Sequence, residues 1–255
     1  EVAEVPQKAP AETSSQTKGI HSAVTGHTSP KTAPTKKRKN RDVRHLMKQI
    51  MIQGRFHINR GKKLKRVSDL DKGASAYLEM ARTTGKPSLY GHAKKLLDLA
   101  DTYAPAGQLP RLTRIEYLMT VHEFRTGLAQ VQKLMKAKFL PWKIKKTVLG
   151  FKGDAEFQLG RYADALASWT QANRIKRSVS SLGRLAHYRR KTGDIEGAAT
   201  LLDECLRMPI QRYGRRWAWL LVQRGLLEFD HGRTEAAIPY YRRAVRALPG
   251  WYVST

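Results

Sequence analysis

The chain has 255 residues, 41% of them hydrophobic, which is enough for one or two domains with a sizeable core. Its 48 Lys and Arg against 21 Asp and Glu leave a net charge of +27, so anionic partners are favoured electrostatically at long range, the alternative being that much of the charge is solvated surface. No stretch approaches the ~20 apolar residues of a membrane-spanning helix, and the N-terminus lacks the positive-then-apolar layout of a secretion signal.

The sequence begins at Glu1 rather than Met and so reads as a processed or excerpted form. A soluble cytoplasmic protein is favoured; a signal cleaved before Glu1 would make it exported or periplasmic, and a eukaryotic source leaves the nucleus open. Cys205 stands alone, so no intrachain disulfide forms and no oxidising compartment is required.

Residues 1–42 are rich in Pro, Thr, Ser, Ala and Lys, with too few apolar groups to offset ordering entropy, and are expected to form a disordered arm. Between Lys36 and Arg66 there are thirteen Lys or Arg and one acid, Asp42, a net of +12. The sharpest run is Lys36, Lys37, Arg38 and Lys39, continued by Arg41 and Arg44. It suits a flexible arm for anionic partners, a nuclear-import address, or a tail that is basic by composition alone.

Residues 43–72 form a basic segment. Within it Val43, Leu46, Met47, Ile50 and Met51 recur at helical intervals and predict a short amphipathic helix over 42–53, ending at Gly54. Its apolar stripe is expected to cap the following helices; the other use of a basic amphipathic helix is to lie on an anionic bilayer.

From about Gly73 onward, helical periodicity is broken at regular intervals by Gly, Pro or polar turns, at Gly85-Lys86-Pro87, Ala104-Pro105, Leu140-Pro141, Leu159-Gly160, Thr192-Gly193, Met208-Pro209 and His231-Gly232. Strand-like alternation is absent, which predicts an all-α chain. Three stretches carry one grid of small residues: Gly153/Gly160/Ala165/Ala172, Ala186/Gly193/Ala198/Cys205 and Gly225/Gly232/Ala237/Ala244. Antiparallel helices that pack closely need small side chains at the points of approach. The chain is therefore read as helical hairpins, strongest over 146–255 and degenerate over 73–145, where His122-Glu123-Phe124 with Leu128 and Val131, and Tyr90 with Ala93, Leu97 and Ala100, keep parts of the pattern.

This grid, with Tyr162, Trp169, Leu202, Tyr241 and the closing Leu248-Pro249, resembles the tetratricopeptide repeat family, whose unit of about 34 residues is helix, turn and helix. Turn glycines 33 and then 39 residues apart place an insertion near Pro209 to Arg215. The resemblance implies a solenoid whose first helices, about 146–158, 179–191 and 217–230, line an inner groove that holds a peptide or protein. It also implies a scaffold, not an enzyme, with no cofactor.

On those helices Arg184, His187 and Lys191 share a face that would favour an acidic partner, and Trp219, Gln223 and Leu226 share another that offers an apolar anchor. A solvated face and simple core are the respective alternatives. Relatives that grip a C-terminal carboxylate use paired Lys and Asn, which Gly150-Phe151-Lys152-Gly153-Asp154 does not reproduce. RNA or DNA backbone, gripped by the arm and the basic helix faces, is the alternative partner; Trp142, Arg212, Tyr213, Arg215, Arg216 and Trp217 mix cations with aromatics in a way that suits stacking on bases, the other reading being that Tyr213 and Trp217 close the helical stack. With Trp251 and Tyr252 following Pro249, the last hairpin is expected to be covered by a partner, by self-association or by residues outside this sequence.

Other candidates fail on spacing. Gly85 to His92 lacks the Lys-Ser/Thr of a phosphate loop, and His122-Glu123 lacks a second His. His21 and His27 have no ligand cluster around them. Cys205 falls on a packing position, where burial makes a thiol inert.

Overall fold

The computed structural model describes residues 43–105, 109–251 and 253. The chain divides into Glu1–Arg38 and Lys39–Thr255, and every described residue belongs to the second unit. The arm expected over 1–42, with Lys36, Lys37, Arg38, Lys39 and Arg41, lies outside the described residues; Arg44 is inside them and exposed.

The described residues are all-helical, as the periodicity predicts: α1 Val43–Leu64, α2 Val67–Thr84, α3 Ser88–Tyr103, α4 Leu112–Thr120, α5 Phe124–Met135, α6 Trp142–Gln158, α7 Tyr162–Ile175, α8 Val179–Lys191, α9 Ile195–Arg207, α10 Arg215–Asp230 and α11 Thr234–Ala247. After α1 the helices pair in series as α2–α3, α4–α5, α6–α7, α8–α9 and α10–α11. The three strong hairpins turn at Gly160, Gly193 and Gly232, with φ of 79°, 87° and 70°. A side chain is strained in that left-handed region. His122 takes the same place between α4 and α5 with φ 66°, so this hairpin keeps the turn without the glycine that would reveal it.

The small-residue grid lies where the helices approach. Ala165, Ala172, Ala186, Ala198, Cys205, Ala237 and Ala244 are all buried. A Cβ on Gly153 would stand 2.5 Å from the Trp169 ring, and one on Gly225 would stand 2.7 Å from the Tyr241 ring. Those glycines let an aromatic from the second helix lie directly on the backbone of the first. Helix starts are secured locally, by a capping box between Ser178 and Ser181 on α8 and by Asp194, which accepts from Gly197 N at 2.9 Å on α9.

Two expectations are corrected. The helix predicted over 42–53 continues to Leu64, because Gly54 is a packing contact rather than a stop: a Cβ there would stand 2.9 Å from Ala76 Cβ on α2. Gly61 and Gly73 serve the same α1–α2 interface, against Leu70 and Ile58. Accordingly α2 begins at Val67, and Gly73 lies inside it. The interface is closed by Asp69, fully buried, which accepts from Arg60 at 2.6 and 2.8 Å and contacts His57 Nδ1 at 2.9 Å. The Arg60 guanidinium, assisted by His57 and Arg66, holds the Asp69 carboxyl well below the usual carboxylate range.

The second correction concerns the last hairpin, whose cover comes from within the chain. Val43 and Leu46 of α1 pack against the core formed by α8 to α11, and Val43 N donates to Pro249 O at 3.2 Å. Arg215 at the start of α10 makes a two-pronged pair with Glu79 of α2, at 2.7 and 2.8 Å. Trp251, 2% exposed, donates from Nε1 to Arg82 O at 3.3 Å. The series of hairpins therefore turns until its first two helices meet its last hairpin. A second copy or a missing segment is not needed to bury Trp251.

Candidate functional site

The insertion-adjusted register places equivalent residues of α6, α8 and α10 side by side. Asp154, His187 and Leu226 are separated by 33 and 39 residues, the spacing of the turn glycines, and so are Phe157, Arg190 and Phe229. Four contacts cross between these neighbouring inner helices. From α6 to α8, Asp154 accepts two bonds from Arg184, at 2.6 and 2.7 Å, and Phe157 meets the edge of His187 with ring centroids 5.1 Å apart. From α8 to α10, Trp219 lies over Gly183, where a Cβ would stand 3.2 Å from its ring, and Arg190 pairs with Asp230 at 2.5 and 2.9 Å.

All six residues expected in the groove sit on these two helices, in different states. Arg184 is half-buried and its charge is matched by Asp154, whose Oδ1 also accepts from Trp169 Nε1 at 3.1 Å. His187 is half-buried; burial, with Lys191 and Arg190 nearby, lowers its pKa despite Asp154. Lys191 is exposed at the end of α8. Trp219, Gln223 and Leu226 are half-buried on one face of α10, with Trp219 and Leu226 packed at the margin of the core.

Asp154, Phe157, Phe229 and Asp230 were not singled out from the sequence. The repeat spacing locates Asp154 from His187 and Leu226; no spacing shows that Asp154 and Asp230 neutralise the cations one helix on. Phe229 is 56% exposed, an unusual state for a large apolar side chain on a packed hairpin.

At the entrance of α6 and α8, Lys146 donates to Ser178 Oγ at 2.7 Å. Burial first, then the nearby cations Arg184 and Lys176, push its ammonium below the ordinary lysine range. A half-buried cation in that setting is stabilised by an arriving anion. Lys152, which would correspond to a carboxylate clamp, is engaged with Glu156 at 2.6 Å and Ser168 at 3.0 Å. Cys205 is buried and its thiol is pushed up to about 12, principally by burial, so it is unreactive at neutral pH. Among the described residues, no His, Cys, Asp and Glu group of three or more could hold a metal ion, and no helix is long and apolar enough to cross a membrane.

No curated protein sequence matches the chain. Three solved structures are similar to it: MamA protein, at 13% identity and a TM-score of 0.41 over 76% of this chain and 91% of that one; YrrB, a TPR protein with an unusual peptide-binding site, at 12% identity and 0.44 over 83% and 95%; and pilF of Pseudomonas aeruginosa, at 16% identity and 0.47 over 83% and 96%. Residues 184–250, which hold most of α8 and all of α9, α10 and α11, match the profile of the Tetratricopeptide repeat family. That match covers about a quarter of the chain, and it lies on hairpins whose turn glycines and small-residue contacts follow the repeat, so this part of the chain is similar to the Tetratricopeptide repeat family.

Proposed function

We propose that the chain is a non-enzymatic scaffold whose inner groove, formed by α6, α8 and α10, binds an extended segment of a protein partner. The observation that carries this reading is Phe229, 56% exposed on α10 and three residues from half-buried Leu226, on the helix that the family resemblance assigns to the groove wall. Such a pair offers apolar contact to one inserted side chain. Arg184 and Arg190 are already paired, so the cations left to select charge are Lys146 at the entrance and Lys191 at the far end of α8. The fitting ligand is a peptide with one large apolar side chain flanked by Asp or Glu.

A second reading, attachment to RNA or DNA backbone, is favoured by Trp142. Its ring is half exposed, and the ammonium groups of Lys143 and Lys176 stand 5.7 and 5.5 Å from its centre. Bases stack on such rings while the cations meet phosphate.

One experiment separates the two. Random peptides displayed on phage are selected on the full chain, and the winners are measured by fluorescence anisotropy alongside a single-stranded RNA. Phe229→Asp is expected to weaken the winning peptides by about tenfold or more, since it replaces an apolar contact with a desolvated charge. Deletion of residues 1–42 should leave them bound; cutting as far as residue 66 would remove α1 from the core and is not a fair test. Peptides indifferent to Phe229→Asp would overturn the groove reading. RNA bound with a steep salt dependence, in the absence of any selectable peptide, would favour the second.

A further inference from the structure

Helix α1 has two faces, and only one of them is used inside the protein. Val43, Leu46 and Ile58 pack inward, with Gly54 and Gly61 against α2. On the opposite side Ile52 and Phe56 are exposed, by 60% and 57%, while Met51 and Leu64 are exposed at the margins of the packed face. Arg44, Lys48, Arg55, Lys62 and Lys63, all exposed, flank them at intervals of mostly three, four and seven residues, so cations and apolar groups share the solvent face. The helix is 22 residues long and contains no Asp or Glu. The sixth cation, Arg60, is committed to Asp69 and lies 4.8 Å from the centre of the Phe56 ring, which steadies that ring at the surface.

We propose that this outer face of α1 rests on an anionic membrane surface, as a peripheral contact separate from the peptide groove. The composition selects that partner. Lys and Arg without acids draw the helix to anionic headgroups, whereas the aliphatic side chain of Ile52 gains from acyl chains and gains nothing from stacking on bases. Apolar insertion combined with a basic segment supplies the two signals that stable peripheral binding requires. The run Lys36 to Arg41 immediately precedes the helix in sequence and adds charge of the same sign.

The test is co-sedimentation of the full chain with phosphatidylcholine vesicles, with and without phosphatidylglycerol. Binding is expected only with the anionic lipid, and Ile52→Ser combined with Phe56→Ser should weaken it by about tenfold or more through loss of two inserted apolar side chains. Both positions are exposed, so the circular dichroism melt should be unchanged. A fluorophore placed on Phe56→Cys, selectively because Cys205 is buried and unreactive, should shift to the blue on anionic vesicles. No sedimentation with anionic vesicles, or sedimentation unaffected by the double substitution, would overturn the proposal. So would loss of single-stranded RNA binding in the double variant with vesicle binding intact, which would reassign the face to nucleic acid.

Discussion

Trp169→Ala is expected to lower the unfolding free energy by about 3–5 kcal/mol, the largest effect of any single truncation in the central hairpins. The ring is 2% exposed and lies on the α6 backbone where Gly153 leaves room, with Phe157 at 5.5 Å between centroids. Deleting it opens a cavity bounded by two helix backbones, which cannot collapse without moving a whole helix. Its Nε1 also donates to Gly150 O at 3.2 Å and to Asp154 at 3.1 Å, so both acceptors lose a buried donor. For a domain of this size the thermal midpoint should drop by on the order of 10 °C. Trp169→Phe, which keeps most of the volume, should recover most of the stability. A melt of Trp169→Ala within a degree or two of the parent would show that the α6–α7 packing is not as described.

Trp251→Ala carries the second large effect, also about 3–5 kcal/mol when the loss is fully expressed in global unfolding. Trp251 is almost wholly buried, belongs to the core of α8 to α11, and reaches the α2 backbone through its bond to Arg82 O. Its removal should loosen the contact between the first helices and the last hairpin. The helices themselves should survive, since each is held by its own hairpin partner. The expected signature is a lower melting temperature and a larger radius of gyration by solution scattering, with helical content kept. Arg215→Ala makes a useful contrast: its pair with Glu79 is about one-third exposed on each side, so its loss should cost at most about 1 kcal/mol. An unchanged radius and midpoint for Trp251→Ala would mean that the ends are not held together by this ring.

The hairpins were legible because their determinants are short-range. Glycine at a left-handed turn and small residues seven and five positions apart are conditions that two adjacent helices impose on each other, and both are visible in Gly193 with Ala186 and Ala198. The same logic misleads at Gly54. In sequence it has the form of a break, but the tertiary neighbour Ala76 makes it a point of close approach. The α4–α5 turn, marked only as a degenerate unit at His122-Glu123-Phe124, lacks the glycine because His122 adopts the glycine conformation.

In the groove, the register of Asp154, His187 and Leu226 could be found by adding the turn spacing, whereas the state of each side chain could not. Arg184 reads as an available cation until Asp154 is seen to hold it, and the exposure of Phe229 has no sequence signal.

What the amino-acid order determined by itself is therefore the all-helical series and its glycine turns, because these depend on periodicity and on contacts within one hairpin. Tertiary structure decided the meeting of α1 and α2 with the last hairpin, the neutralised pairs between inner helices, and which face of α1 was left to solvent. Those features depend on the small rotation added at each successive hairpin, summed over the array, and no local pattern encodes that sum.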